Sequence, residues 1–86
     1  MRWEIAWDDS AAREFDALPH PAQESILTAL AHLAMENRGD VKRLKGPFAG
    51  TYRLRVREYR VRFRLDRGEG KIVIAYAGRR GSAYMD

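Results

Sequence analysis

The residues best suited to do chemistry in this chain are six arginines that lie between Arg53 and Arg64. Apolar side chains alternate with them at a period of two, which is typical of half-buried β-strands. The pattern predicts one strand over residues 52–56 and another over residues 59–65, joined by a two-residue loop at Arg57 and Glu58. Most of the arginines then project from one face of this hairpin.

The loop length also predicts the register of the hairpin. Four arginines form two opposed pairs on one face: Arg55 with Arg60, and Arg53 with Arg62. The other face pairs apolar residues: Val56 with Tyr59, Leu54 with Val61, and Tyr52 with Phe63. Directly opposed side chains begin roughly 5 Å apart, where two positive charges repel by about 3 kcal/mol at an effective dielectric constant near 20. Stability gives no reason to build such a face, whereas binding a polyanion does.

The distribution of charge supports an anionic partner. The net charge is +4, but the charges are divided unevenly along the chain. The first 41 residues carry three arginines and eight acids, whereas residues 42–86 carry thirteen basic residues and four acids. This division favours one face for an anion, and nucleic acid is the expected partner. Ten of the thirteen basic residues are arginine, the better bidentate phosphate ligand. A GC-rich genome would explain the choice of arginine over lysine, but not the clustering.

Length and composition predict one small domain over residues 1–86. The absence of cysteine excludes disulfides and thiolate metal sites and fits a reducing cytosol. No apolar run is long enough to cross a membrane, and the N-terminus does not resemble a signal peptide. We therefore expect a cytoplasmic protein. His20 and His32 lack a third candidate ligand, so a metal site is not expected.

The rest of the chain predicts an α+β fold. Apolar and polar residues alternate over residues 2–7, which predicts a first strand. Two helices separated at Pro19 follow, and the second ends near Gly39. Residues 40–47 form a loop before the hairpin, and residues 71–77 form a central strand after it. The order is β-α-α-β-β-β. We expect two helices packed on one face of a mostly antiparallel four-stranded sheet, with the arginine face open to solvent.

Four motifs in this order resemble the RelE/ParE superfamily of bacterial toxins, over nearly the whole chain. They are Arg43-Leu-Lys-Gly46, Tyr52-Arg-Leu-Arg-Val56, Tyr59-Arg-Val61 and the closing Gly78-Arg-Arg-Gly-Ser-Ala-Tyr84. RelE-like members of the superfamily cut mRNA in the ribosomal A site, whereas ParE-like members poison DNA gyrase. The resemblance thus implies a RelE-like fold and the toxin of a type II toxin–antitoxin system.

The resemblance also implies catalytic roles for five residues. Arg53 and Arg55 match two basic positions that are lysines in the best-known RelE toxin, and Arg60 matches the arginine that contacts the scissile phosphate. Arg80 matches an acid or charge stabiliser near the leaving oxygen, and Tyr84 matches the tyrosine that stacks on or orients the substrate nucleotide. Because all five positions carry an arginine or the expected tyrosine, RelE-like activity is favoured over gyrase inhibition.

Four further residues are candidates for RNA binding: Lys42, Arg43, Lys45 and Arg62. Each set has a plainer interpretation. The hairpin arginines can form a solvated outer face, Arg80 can pair with a carboxylate, Tyr84 can cover the sheet edge, and the charges at positions 42–45 can be solvated loop residues.

Cleavage of this type uses the ribose 2′-hydroxyl as nucleophile, so it requires no metal or cofactor. Convergent guanidinium groups would stabilise the charge of the transition state, and an aromatic ring would orient the base. Arginine keeps its proton above a pKa of about 12, so the replacement of lysine at positions 53 and 55 removes a plausible base. Tyr84 and Glu58 remain as candidate proton acceptors, in catalysis dominated by alignment and electrostatics.

The resemblance implies two partners, the ribosome with its mRNA and rRNA, and a cognate RelB-like antitoxin. We expect an acidic or amphipathic antitoxin, a monomeric free toxin and a hetero-oligomeric complex. Two alternatives stay open: a ParE-like gyrase inhibitor without nuclease activity, and an RNA-binding module whose arginine substitutions have abolished cleavage.

Overall fold

The computed structural model describes residues 2–79. The elements, in chain order, are β1 (Glu4–Trp7), α1 (Asp9–Asp16), α2 (His20–Glu36), β2 (Asp40–Arg43), a 3₁₀ turn (Gly46–Phe48), β3 (Tyr52–Val56), β4 (Tyr59–Asp66) and β5 (Lys71–Arg79). The five strands form one sheet in the order β1-β5-β4-β3-β2. β1 runs parallel to β5, and the other neighbouring pairs are antiparallel.

The helices begin and end where local chemistry requires it. Pro19 separates them, and Pro21 lies in the first turn of α2, where its missing N–H costs no hydrogen bond. α2 ends three residues before the predicted Gly39, because Asn37 adopts a left-handed conformation with φ of 55°. The backbone N–H of Asn37 then donates to the carbonyl of Leu33, which closes the helix.

One hydrophobic core joins the helices to the sheet. Ala11 of α1 and the buried stripe of α2 pack in the same cluster as the inward residues of β3, β4 and β5. The most deeply buried large side chains are Ile26, Leu30, Leu54, Val61, Ile72 and Ile74. The predicted α+β class and the two helices are confirmed, and the core leaves the opposite face of the sheet to the hairpin arginines.

The predicted strand number is wrong. Residues 40–43, predicted as loop, form the edge strand β2, so the sheet has five strands and is mixed. This segment, Asp-Val-Lys-Arg, is exposed throughout and has no apolar alternation that would mark it as a strand. Pairing with β3 satisfies the backbone groups on the side of β2 that faces β3, without any burial of side chains.

The predicted register of the hairpin is confirmed at all five positions, from Tyr52 opposite Phe63 to Val56 opposite Tyr59. The loop places Arg57 at φ of 56°, a conformation that glycine adopts more easily than arginine. Within residues 2–79, no helix combines the length and apolar character needed to cross a membrane.

Candidate nucleic-acid interface

The sheet surface opposite the helices carries a group of basic side chains from β2, β3 and β4. The strand register defines this arginine face: Lys42 lies opposite Arg53, which lies opposite Arg62, while Asp40 lies opposite Arg55, which lies opposite Arg60. Five of the predicted site residues are therefore brought together. They are Lys42, Arg53, Arg55, Arg60 and Arg62.

The arginine face is less open to solvent than predicted. Arg53 is only 4% exposed and Arg60 only 2% exposed, whereas the side chain of Arg55 is 48% exposed. A buried guanidinium must have its hydrogen bonds and charge compensated. The alternation of side chains predicts which face an arginine lies on, but not how deeply its neighbours cover it.

Arg60 is held against the hairpin backbone. Its Nη1 donates hydrogen bonds to the carbonyls of Arg57 at 3.1 Å and of Tyr59 at 3.0 Å. The unusual backbone of Arg57 thus also orients one of the two carbonyls that position Arg60. The guanidinium is fixed in place before any ligand arrives, as preorganised charge stabilisation requires.

An acid lies within the arginine face and was missed by the sequence analysis. Asp40 Oδ1 is 3.7 Å from Arg53 Nη2, and Asp40 Oδ2 is 3.7 Å from Arg55 Nε. Both contacts are ion pairs whose distances exceed that of a hydrogen bond. The Asp40 side chain is 58% exposed. The position of Asp40 could be predicted only if residues 40–43 were known to pair with β3, because that pairing places Asp40 opposite Arg55.

Arg62 lies against an aromatic ring. Its guanidinium carbon is 4.3 Å from the centre of the Phe48 ring, within the range of a cation–π contact. The 3₁₀ turn that presents Phe48 begins at Gly46 and follows the exposed Lys45. This turn therefore brings Phe48 to the border of the arginine face, and Lys45 immediately precedes the turn in the chain.

Arg43 lies apart from the other predicted site residues. Its position on β2 is opposite Tyr52, whose ring belongs to the helix-covered side of the sheet and stacks on Phe63. A hydrogen bond from Arg43 lowers the pKa of the Tyr52 phenol below its ordinary value, an effect that burial opposes. The pairing of Arg43 with Tyr52 places it on the face opposite the hairpin arginines.

Glu58, one of the two candidate proton acceptors, is held in an ion pair at the hairpin end. Its Oε2 lies 2.9 Å from Nη2 of Arg79, whose guanidinium also lies near the Tyr59 ring. The other candidate, Tyr84, lies outside the described residues, as does Arg80. Among residues 2–79, no three His, Cys, Asp or Glu side chains cluster as metal ligands would.

β5 adds a residue that the sequence analysis did not assign to the site. Tyr76 lies opposite Arg62, and Gly78 lies opposite Arg60, so both belong to the arginine face. From the sequence, Tyr76 was predicted only as part of the central strand over residues 71–77. The complete surface therefore offers preorganised guanidinium groups, an exposed arginine and an aromatic ring, which together suit a ribose-phosphate chain.

Comparison with solved structures relates this fold to known proteins. The chain is similar to the toxin–antitoxin complex RelBE2 from Mycobacterium tuberculosis, with 25% identity and a TM-score of 0.81 over 93% of this chain and 100% of that one. It is also similar to the RelE–RelB complex from Pyrococcus horikoshii, with 24% identity and a TM-score of 0.76 over 96% and 100%. The isolated RelE toxin of E. coli gives 17% identity and a TM-score of 0.78 over 94% and 87%.

No protein-family model matches the sequence, and no curated protein matches it either. The similarity to these proteins is found by comparison of structures, which align over more than nine-tenths of this chain in each of the three cases. The resemblance predicted from the four sequence motifs is therefore confirmed: this chain has the fold of the RelE-like toxins.

Proposed function

We propose that this chain, as a single domain over residues 1–86, is the toxin of a type II toxin–antitoxin system that cuts mRNA in the ribosomal A site. Its site of action is then the cytoplasm, and its effect is to inhibit translation. The observation that carries the proposal is the arginine face, in which Arg60 is fixed by hairpin carbonyls on a RelE-like fold. The crowding of guanidinium groups on this one face supports a phosphate group as its ligand.

The reaction is a transesterification within the RNA. The ribose 2′-oxygen forms a bond to the adjacent phosphorus, and the bond from phosphorus to the 5′-oxygen breaks. One proton leaves the 2′-hydroxyl and another reaches the 5′-oxygen. The products are a 2′,3′-cyclic phosphate and a 5′-hydroxyl end. Arg60 stabilises the charge that develops on the phosphoryl oxygens, and Arg55 and Arg62 hold the neighbouring chain.

Fewer residues are suited to transfer the two protons than to stabilise the charge of the transition state. Arg53 and Arg55 keep their protons at neutral pH, and Glu58 is engaged by Arg79. By resemblance, Arg80 assists the leaving oxygen and Tyr84 orients the nucleotide or accepts the proton. We infer that alignment of the 2′-oxygen, aided by bound rRNA, supplies most of the rate enhancement.

A RelB-like antitoxin is the second proposed partner, since structural neighbours from four organisms are complexes of RelE with RelB. A groove of about 890 Å³ runs between α2 and the end of β3, close to the arginine face. Its lining includes Thr28 and Leu54 together with three arginines, Arg38, Arg55 and Arg57, and one acid, Glu24. An acidic, amphipathic antitoxin segment fits this mixture of charge and apolar surface. The free toxin is then a monomer and the complex a hetero-oligomer.

A cell-free translation reaction tests the proposed function. Primer extension on ribosome-bound mRNA should detect new ends within A-site codons after the purified chain is added, and RNA without ribosomes should remain largely intact. Double-stranded breaks in DNA treated with gyrase, together with intact mRNA, would instead identify a gyrase inhibitor. Binding to RNA without cleavage would identify an inactive RNA-binding module.

A further inference from the structure

A β-bulge determines which face of β5 carries Tyr76. The register between β4 and β5 shifts at Arg62 and Phe63, so that Arg62 pairs with Tyr76 while Phe63 pairs with Ile74. Ala75 therefore has no opposite residue on β4. Before the bulge, Ile72 and Ile74 face the core. Strict alternation would have sent Tyr76 to the core as well. Bulges commonly redirect a side chain beside a functional site.

The ring of Tyr76 lies along the sheet surface instead of projecting away from it. A Cβ atom built on Gly78 would lie 2.7 Å from Cζ and 3.1 Å from Cε2 of Tyr76, and it would overlap the phenol oxygen. The end of the ring therefore occupies the space above the glycine backbone. Because Gly78 lies opposite Arg60, the phenol extends beside that arginine.

Tyr76 is also open to ligands. Its side chain is half-buried, unlike the fully buried Tyr59. Directly opposed residues begin roughly 5 Å apart, so Tyr76 is the neighbour of Arg62 on this surface, and Arg60 lies opposite the adjoining Gly78. An aromatic ring beside fixed cations is the arrangement that holds a base and its phosphate together.

We propose that Tyr76 is a nucleotide-binding residue whose ring stacks on one base of a single-stranded RNA while Arg62 holds the adjoining phosphate. The inference deepens the proposed function and rests on it for the class of ligand. It assigns a stacking platform on β5, separate from Tyr84. It also explains why position 78 is a glycine, since any side chain there would displace the ring.

The test uses a fluorescent single-stranded RNA with 2′-O-methyl riboses, which the chain cannot cleave. Fluorescence anisotropy measures its dissociation constant for the parent chain and for Tyr76→Phe and Tyr76→Leu. Loss of a stacked base weakens binding by about 5- to 100-fold, so Tyr76→Leu should weaken binding by that factor. Tyr76→Phe retains the ring and should stay within about threefold of the parent.

An RNA with one abasic nucleotide separates stacking from a structural role. Scanning the abasic position should find one place where the parent chain loses affinity and Tyr76→Leu loses nothing further, because the two changes remove the same contact. Gly78→Ala should weaken binding to intact RNA as Tyr76→Leu does. If Gly78→Ala does not fold, the abasic comparison decides. Tyr52→Leu, which alters a tyrosine on the helix-covered side, should lower the Tm without changing this affinity.

The outcomes distinguish this inference from the proposed function. Equal affinities for the parent and Tyr76→Leu, or equal losses in Tyr76→Phe and Tyr76→Leu, would overturn stacking even if mRNA is cut. Base-dependent binding through Tyr76 in a chain that never cuts ribosome-bound mRNA would refute the nuclease proposal and leave the inference intact.

Discussion

At the scale of single residues, two arginines of the same predicted type have different environments. Arg60 is buried and positioned by backbone carbonyls, whereas Arg55 is half-exposed beside Asp40. The sequence predicts that both lie on one face, because side chains alternate along a strand. It does not predict their burial, which depends on residues distant in the chain.

The position of Asp40 leads to a prediction at this scale. Asp40→Asn should strengthen binding of single-stranded RNA by about two- to fivefold at low salt, because it removes a negative charge beside Arg53 and Arg55. The gain should fade as salt rises. Titrations at several salt concentrations measure it, with the exposed Asp16→Asn on α1 as a control of equal charge change. Unchanged or weaker binding would contradict this prediction.

At the scale of elements, the hairpin was predictable and the strands beside it were not. Two apolar runs separated by two residues fix the register between β3 and β4. β2 carries three charged residues among its four and has no apolar alternation to predict it. In β5, the side that each residue faces depends on a bulge, and an uninterrupted apolar run contains no signal for one.

The hairpin loop leads to a prediction about stability. Arg57→Gly should raise the free energy of unfolding by about 0.5–1 kcal/mol, because the left-handed backbone costs arginine more than glycine. The carbonyl that accepts a hydrogen bond from Arg60 is retained. Urea denaturation measures the change. The neighbouring Glu58→Gly should destabilise instead, because it loses the ion pair with Arg79 without relieving such a conformation. A destabilised Arg57→Gly would contradict the prediction.

An ion pair links the start of α1 to β4 and predicts a dependence on pH. Arg64 donates hydrogen bonds to Asp8 at 2.9 and 3.2 Å. The hydrogen bond and charge of Arg64 lower the pKa of the Asp8 carboxyl below its ordinary value of 3.8, against the effect of burial. A depressed pKa contributes stability above the unfolded-state value, and this contribution disappears as the pH falls through the folded-state value.

Asp8→Asn should therefore lower stability at neutral pH but not in strong acid. The pair is substantially exposed, so we expect a loss of about 0.5–1 kcal/mol near pH 7. The difference from the parent should disappear as the pH falls through the lowered folded-state pKa of Asp8. Thermal unfolding at several pH values measures it, and the exposed Asp16→Asn serves as a control. A difference that persisted unchanged into strong acid would exclude this ion pair as its cause.

At the scale of the whole molecule, the division of charge along the sequence becomes a division between layers. The acidic first half supplies β1, both helices and the start of β2, whereas the basic second half supplies most of the sheet. A basic surface backed by an acidic helical layer orients the molecule in the field of a polyanion. The composition predicted this polarity, and the fold explains it, because the helices cover the apolar face and leave the other face to the arginines.

If the arginine face cuts RNA through the 2′-hydroxyl, as we propose, the ends left on ribosome-bound mRNA record that chemistry. We expect 2′,3′-cyclic phosphate and 5′-hydroxyl ends within A-site codons. We also expect that Arg60→Ala reduces the single-turnover cleavage rate by at least about 100-fold. Arg64→Ala, on the same strand but paired with Asp8, should stay within about threefold of the parent. Products with 5′-phosphate ends, or full cleavage by Arg60→Ala, would rule out this mechanism.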